Sequence, residues 1–218
     1  MPDQVVIQPL QPAHAREAAE LHAEGQPGTF LTSLGPRFLR VLYREFVHLP
    51  SVYGFEAVAD GQVVGMVTGT SDTGALFREL LRRAWLRLGL VVALRLVAHP
   101  RLIRRVWDTL HYPSQLHSAP GEGEALTMAV RLPYRKHGIG TELMLALLRE
   151  ARRRGLRGLW YTVDGANENA LRFHRRLGAE FQRTEIMYGR QMVLLFNDLK
   201  VVADDGGASP AGQHGAGR

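Results

Sequence analysis

The sequence predicts a single α/β domain with a helical segment inserted between its third and fourth strands. Three observations predict it. From residue 125 onward, apolar runs and helix-period segments alternate in the order strand, helix, strand, helix, strand, strand. Earlier, two β-rich runs over residues 52–59 and 63–70 flank Asp60-Gly61-Gln62, a hairpin signal. Between these regions, residues 74–112 read as helical and rich in leucine and arginine, broken near Pro100. The length of 218 residues suits one ordinary domain with an insertion. With 45% hydrophobic and 22% charged residues, the chain can bury a sizeable core without covalent staples.

The elements follow in order. Residues 5–10 form an apolar first strand. Pro12 opens a helix to about residue 24, with Ala15, Ala18 and Leu21 on one face, and residues 25–28 make a loop. Pro36 opens a second helix to about residue 49, where Phe38, Leu39, Leu42, Tyr43 and Phe46 recur at helical spacing and Pro50 follows. Gly65 and Gly69 within the second hairpin strand point to a bulge or close backbone packing. Residues 118–123 are turn-rich. Residues 125–130 make an apolar strand and 138–154 an amphipathic helix with Leu143, Leu147 and Leu148 inward and Gly155 at its end. Residues 159–163 are a strand, 167–177 a helix closed by Gly178, and 180–188 with 191–196 a terminal hairpin. The domain spans 1–202, with 74–117 as the insertion. Residues 203–218 have the composition of a disordered tail.

Several function classes fall away. The absence of cysteine excludes disulfides, thiolate zinc sites and cysteine nucleophiles, and it fits a reducing, cytoplasmic setting. The first ten residues have no basic stretch leading into an apolar run, so no secretory signal is expected. The most apolar stretch, residues 84–98, is interrupted by Arg87 and Arg95, so no integral membrane association is expected. His14, His22, His48, His99, His111 and His117 lack metal-ligand spacing, so no metal site is read. The net charge of +6 and pI of about 10.1 favour polyanions: a phosphorylated cofactor, anionic lipid or nucleic acid.

The chemistry concentrates in residues 130–141. An apolar strand ending at Val130 runs through the basic turn Arg135-Lys136-His137 into a helix, by way of Gly138-Ile139-Gly140-Thr141. Glycines let the backbone approach a ligand, and the free N–H groups at a helix start form an anion site. The Lys-Ser/Thr of a Walker loop is missing, and the third glycine of a dinucleotide fingerprint is out of register. About thirty residues on lies Asn167-Glu168-Asn169-Ala170-Leu171-Arg172-Phe173-His174, closing on Leu177-Gly178.

At these residues the chain resembles the GNAT superfamily of CoA-dependent N-acetyltransferases. The family's phosphate loop is Arg/Gln-x-x-Gly-x-Gly/Ala, and its second motif is Asn-x-x-Ala, an aromatic pair, then glycine. Both occur here in order and at the family's spacing, and the resemblance covers residues 124–199 well. It implies the GNAT fold, a central mixed twisted sheet of about six or seven strands flanked by helices, and transfer of an acetyl group from acetyl-CoA to an amine, borne by a small molecule or a peptide. It implies that the strand before the loop splays from its neighbour, so that the pantetheine arm pairs with Met128, Ala129 and Val130. The pyrophosphate would sit on N–H groups of Arg135, Lys136, His137, Gly138, Ile139, Gly140 and Thr141. Asn167 would hold the CoA arm, with Ala170 and Phe173 beside it.

Direct transfer requires an amine that loses a proton, a stabilised oxyanion and a protonated leaving thiolate, with no covalent enzyme intermediate. Glu124, six residues before Val130, is the candidate base, with Glu122 as a substitute. His174 stands where the family usually places a tyrosine acid, and an imidazole titrating near neutral pH could take that role. Smaller departures are Pro133 three residues after Val130 rather than two, Lys136 where glycine is common, and Ala179 where phenylalanine is common.

The insertion carries eight arginines and one glutamate between Arg78 and Arg105. One reading is a lid or dimer-forming helix pair over the acceptor site; a homodimer is left open. Others are a membrane-surface helix or a patch for an anionic acceptor. The rival for the whole chain is a non-catalytic acyl-CoA-binding protein, or a basic nucleic-acid or membrane-surface binder that keeps the fold. The two motifs weigh against nucleic acid. An exposed stripe from Trp85 to Leu88 would favour the membrane.

Overall fold

The computed structural model describes residues 4–104, 119–187 and 189–200. The tail at 203–218, the end of the insertion beyond residue 104, His111, His117 and Tyr188 lie outside the described residues. Seven strands form one sheet: β1 (Val5–Pro9), β2 (Val52–Ala59), β3 (Gln62–Thr70), β4 (Glu122–Val130), β5 (Gly158–Asp164), β6 (Glu180–Met187) and β7 (Arg190–Asp198). Their order is β1-β2-β3-β4-β5-β7-β6, and every neighbouring pair is antiparallel except β4–β5. The helices are α1 (Ala15–Gly25), α2 (Phe30–Ser33), α3 (Pro36–Phe46), α4 (Thr73–Ala98), α5 (Ile139–Arg153) and α6 (Glu168–Arg176). The mixed sheet, its flanking helices and the helix between the third and fourth strands agree with the sequence expectation.

Local chemistry explains the elements. Asp60 and Gly61 both take positive φ, the two-residue turn whose twist matches a hairpin, so Gln62 joins β3 rather than the turn. Asp72 caps α4 by accepting from the Ala75 N–H at 2.8 Å. A single turn of 3₁₀ helix, Pro12–His14, precedes α1 where the sequence reading placed one continuous helix. The sequence reading missed α2, which is capped by the Thr29 side chain. Four residues are too few to show a period.

A core lies on each face of the sheet. One packs α1, α3 and the inner side of α4 around Leu21, Leu39, Tyr43 and Met66. The other packs α5 around Leu143, Leu147, Leu159 and Leu195. β3 runs between them and is buried along nearly its whole length. Gly65 and Gly69 admit α5 closely: a Cβ on Gly65 would stand 3.0 Å from Leu143 and one on Gly69 3.3 Å from Leu147. Each also adjoins an irregularity in strand register. On the other face Glu45 of α3 is buried and accepts from Arg83 at 3.0 Å and Arg87 at 2.8 Å, which ties α4 to α3.

Gly158 opens β5 directly beneath the Phe196 ring, which leans on Trp160 with centroids 4.8 Å apart. A Cβ at position 158 would fall 2.0 Å from that ring. Gly158→Ala should therefore destabilise the fold by about 1–3 kcal/mol through overpacking, read as a lower urea midpoint. Adding Phe196→Leu should recover part of the loss.

Candidate functional site

The site begins with a parting of strands. β4 and β5 pair in register over Glu122–Gly158, Gly123–Leu159, Glu124–Trp160 and Ala125–Tyr161. Beyond that point β4 pairs with β3 up to Val130, and β5 pairs with β7 up to Asp164. The cause is a bulge. Thr127 pairs with Thr68 and Ala125 with Gly69, so Leu126 is the extra residue. Leu126 packs into the α1–α3 core, and Thr127 lies against the Tyr43 hydroxyl on that same face. Two successive side chains on one face bend a strand and increase its twist. From there Met128 and Val130 face the α5 core and Ala129 faces α1. The splay expected beside Met128, Ala129 and Val130 is present.

β4 leads into the basic turn. Arg135 reaches back to donate from Nε to the Val130 carbonyl at 2.8 Å. Arg135, Lys136 and His137 are exposed. Lys136 adopts φ +65, so the position where glycine is common is held by a residue in the left-handed region, at a cost of about 1–2 kcal/mol. Gly138 follows at φ +84 and precedes α5 without a side-chain cap. The Glu142 N–H donates to the Gly138 carbonyl at 3.0 Å, so the N–H groups of Ile139, Gly140 and Thr141 before it are the orphan donors of the helix start. A Cβ at Gly138 would meet no atom within 4 Å, so the turn faces open space. This is a nest of donors at the positive end of a helix dipole.

The second motif stands beside the first. A Cβ on Gly140 would lie 2.8 Å from Met128 Cε and 3.9 Å from Phe173, so β4, α5 and α6 converge there. Asn167 caps α6, its Oδ1 accepting from the Ala170 N–H at 3.1 Å. Those two residues thus share a structural role at the helix start. Ala170 and Phe173 pack against the α5 core.

His174 packs against Tyr161, with ring centroids 4.5 Å apart, and edge-on against Phe173 at 5.2 Å. Its Nδ1 is buried without a hydrogen-bond partner among the described residues. Burial pushes the imidazole down to about 4. The expectation of a ring that titrates near neutral pH is corrected: at pH 7 it is neutral.

Glu124 lies on the opposite face, turned toward α4. It is buried, and its Oε2 accepts from the Thr73 hydroxyl at 2.9 Å. It pairs across the sheet with Trp160, one residue before Tyr161, so Glu124 and His174 flank the β4–β5 junction from its two sides. Glu122, the substitute base, is fully engaged. It accepts from Trp160 Nε1 at 2.8 Å, Arg157 at 2.9 Å and the Ala119 N–H at 3.0 Å, which makes it a structural carboxylate. Thr73 was missed because it reads only as the first helical residue after a cap. Also missed was a buried row beside the bulge, in which the Tyr43 hydroxyl shares a 2.7 Å hydrogen bond with His22 Nδ1. Burial lowers His22 to about 4 and raises Tyr43. Among the described residues no cluster of three or more His, Asp or Glu side chains could hold a metal.

Residues 17–179 match the Acetyltransferase (GNAT) family. Two curated relatives are mycothiol acetyltransferases. The one from Rhodococcus jostii is 36% identical over 117 residues, 52% of this chain and 38% of its own length. The one from Saccharomonospora viridis is 32% identical over 122 residues, 55% of this chain and 39% of its own. The matches thus span less than two fifths of each relative. Among solved structures, an N-acetyltransferase from Staphylococcus aureus Mu50 superposes with a TM-score of 0.58 at 17% identity, covering 90% of this chain and 99% of its own. Arabidopsis thaliana NAA60 in complex with acetyl-CoA gives a TM-score of 0.58 at 15% identity, again over 90% and 99%. At such identities these two speak for the fold.

Two imidazoles, His22 buried and His174 half-buried, set a pH dependence. For His22 and His174 the folded value lies below the unfolded value of about 6.5, so the unfolded chain binds more protons between the two. Their contribution is present above pH 6.5 and is lost as pH falls toward 4, at up to about 1.4 kcal/mol per pH unit for each ring. Denaturant midpoints should fall between pH 7 and pH 4.5. His174→Phe should flatten that fall by its share.

Proposed function

The chain belongs to the acetyltransferase (GNAT) family, and on that premise we propose that it is an N-acetyltransferase moving an acetyl group from acetyl-CoA directly to an amine in a ternary complex. One observation carries this reading: the left-handed Gly138 turn, which starts α5 with no side-chain cap on its first N–H groups, follows the stretch of β4 that has left β5, and Gly140 of that helix start sits against Met128 and Phe173. A diphosphate needs the first feature and an extended amide-bearing arm needs the second.

In this reading the diphosphate rests on the N–H groups from Arg135 to Thr141, with Arg135, Lys136 and His137 adding charge. The pantetheine arm lies along Met128, Ala129 and Val130 and pairs with their backbone. Asn167 spends its carbonyl oxygen on the α6 cap, so it serves the donor mainly by fixing the helix start, with Ala170 and Phe173 forming the wall of the channel. The thioester then reaches the junction between Glu124 and His174.

The amine enters from the α4 side. Glu124, whose geometry Thr73 fixes, takes a proton from the ammonium, directly or through a water. The neutral nitrogen attacks the thioester carbonyl, a C–N bond forms, and the oxyanion is held by N–H groups of the splayed β4. The C–S bond breaks, the nitrogen gives up its second proton as the amide forms, and that proton passes directly or through a water to the leaving sulfur. His174, neutral at pH 7, acts here as an N–H hydrogen-bond donor to the leaving sulfur rather than as a resident imidazolium. A non-catalytic acyl-CoA-binding protein is the second reading; the half-buried imidazole in place of a tyrosine acid favours it. The acceptor is a small amine or a peptide N-terminus. Because the two curated relatives are named mycothiol acetyltransferases, an amine related to mycothiol is the first to test.

Calorimetry should show acetyl-CoA bound by the wild type and lost by at least about tenfold in Gly138→Glu, which forces a side chain and a negative charge into the left-handed turn. A folded wild type that ignores acetyl-CoA would sink the donor assignment. With an acceptor in hand, Glu124→Gln should keep acetyl-CoA binding and lose about 10²–10⁴-fold in kcat. Retained turnover in that variant removes Glu124 as base. His174→Phe should lower kcat with KM unchanged, and turnover equal to wild type across pH would take His174 out of the chemistry.

A further inference from the structure

Helix α4 is apolar on two faces where one would serve the fold. Its inner face buries Leu76, Ala84 and Leu88 against α3, held there by Glu45 through Arg83 and Arg87. Its outer face from residue 85 onward is apolar as well. On that face Leu90 is 63% exposed, Leu94 60% and Val97 85%, with Leu86 exposed beside them, and Trp85, about 100° round the helix from Leu86, is 60% exposed at the edge. Leu86, Leu90, Leu94 and Val97 recur at i, i+4, i+8 and i+11, which sets them in one line along the helix. A contiguous exposed apolar face on a protein surface marks an interaction site.

The charges say with what. Arg82 stands exposed at the start of the face, with Arg78 a turn earlier and 3.9 Å from Asp72. Arg101 and Arg104 stand exposed beyond its end. Between Leu80 and Arg104 there is no aspartate or glutamate. A second copy of the chain would fit poorly. Along the face itself, from Leu80 to Arg104, neither of two facing α4 helices would offer an acid to the other's arginines. An anionic bilayer offers apolar depth to the leucines and negative charge to both ends, and an indole at the rim suits the headgroup level. No described helix is long and apolar enough to cross a membrane, so α4 would lie in the interface plane.

We propose that the outer face of α4 is a docking surface for anionic lipid bilayers, with Leu86, Leu90, Leu94 and Val97 entering the acyl boundary and the flanking arginines holding headgroups. The proposal is independent of the donor chemistry, and its test does not use activity. The protein is sedimented with vesicles of phosphatidylcholine alone and of phosphatidylcholine mixed with phosphatidylglycerol. Binding to the mixture should be at least about tenfold tighter and should weaken with salt. Leu90→Asp with Leu94→Asp should lose at least about tenfold of that binding, and circular dichroism and the thermal midpoint should match wild type, because both side chains are already exposed. Arg82→Glu with Arg101→Glu should weaken binding to the anionic mixture selectively. The proposal is overturned if wild type ignores both vesicles, or if the double aspartate variant, shown folded, binds as well as wild type. It is equally overturned if ultracentrifugation finds a dimer that the aspartates dissolve while vesicles go unbound. Binding of duplex nucleic acid through the same arginines, without vesicle binding, overturns it too.

Discussion

Leu126 is one residue more than its partner strand can match, and much of the site descends from that surplus. With Leu126 and Thr127 both turned toward α1 and α3, β4 bends away from β5 just after Ala125 and Tyr161. The bend leaves a cleft whose floor is Met128 to Val130. It aims the end of β4 at the basic turn and lets α5 begin beside Met128. Gly140 lies against the Met128 side chain, and Phe173 closes the wall from α6. Before the bulge, ordinary strand alternation in the paired part of the seam sends Glu124 and Tyr161 to opposite faces of one junction. The base candidate is thereby held under α4, and the imidazole reaches Tyr161 from α6. A bulge is a local irregularity in one strand, and here it ends the pairing of β4 with β5.

Most of the fold was legible because its signals are local and periodic. Phe38, Leu39, Leu42 and Phe46 trace α3. Asp60-Gly61 makes the hairpin by its own backbone preference, and Gly138 takes the left-handed conformation that a glycine before a helix suggests. What could not be read depends on partners distant in sequence. Leu126 looks like any strand leucine until Gly69 and Thr68 are placed across from it. Glu122 and Glu124 look equivalent, yet Trp160, Arg157 and Ala119 claim the first, while Thr73 meets the second. His174 reads as a titrating imidazole until Tyr161 and Phe173 close on it and remove its water. The roles of a carboxylate and of an imidazole are set by who surrounds them, and that is tertiary information.

Charge is divided between two surfaces. One concentration is the turn at Arg135, Lys136 and His137, where small radius and aligned backbone donors suit a compact multivalent anion. The other lies along α4, where arginines are spread over the length of a helix and separated by leucines. These two basic surfaces differ in geometry, one in a turn and one along a helix. Glu45 links the second to the body of the protein by pairing with Arg83 and Arg87, whose side chains stay exposed.

The short parallel seam between β4 and β5 joins two sets of strands, bridged on one face by the α5 core. One is the meander β1 to β4, and the other is β5 with the β6–β7 hairpin; each is stitched internally by antiparallel ladders much longer than the seam. Backbone amides beside the seam should open ahead of those in β2 and β3, in the manner of neighbouring foldons. A molecule threaded into the cleft would complete the missing ladder. It would then be a strut shared by both sets as well as a reactant, raising the protein's resistance to unfolding in proportion to its occupancy.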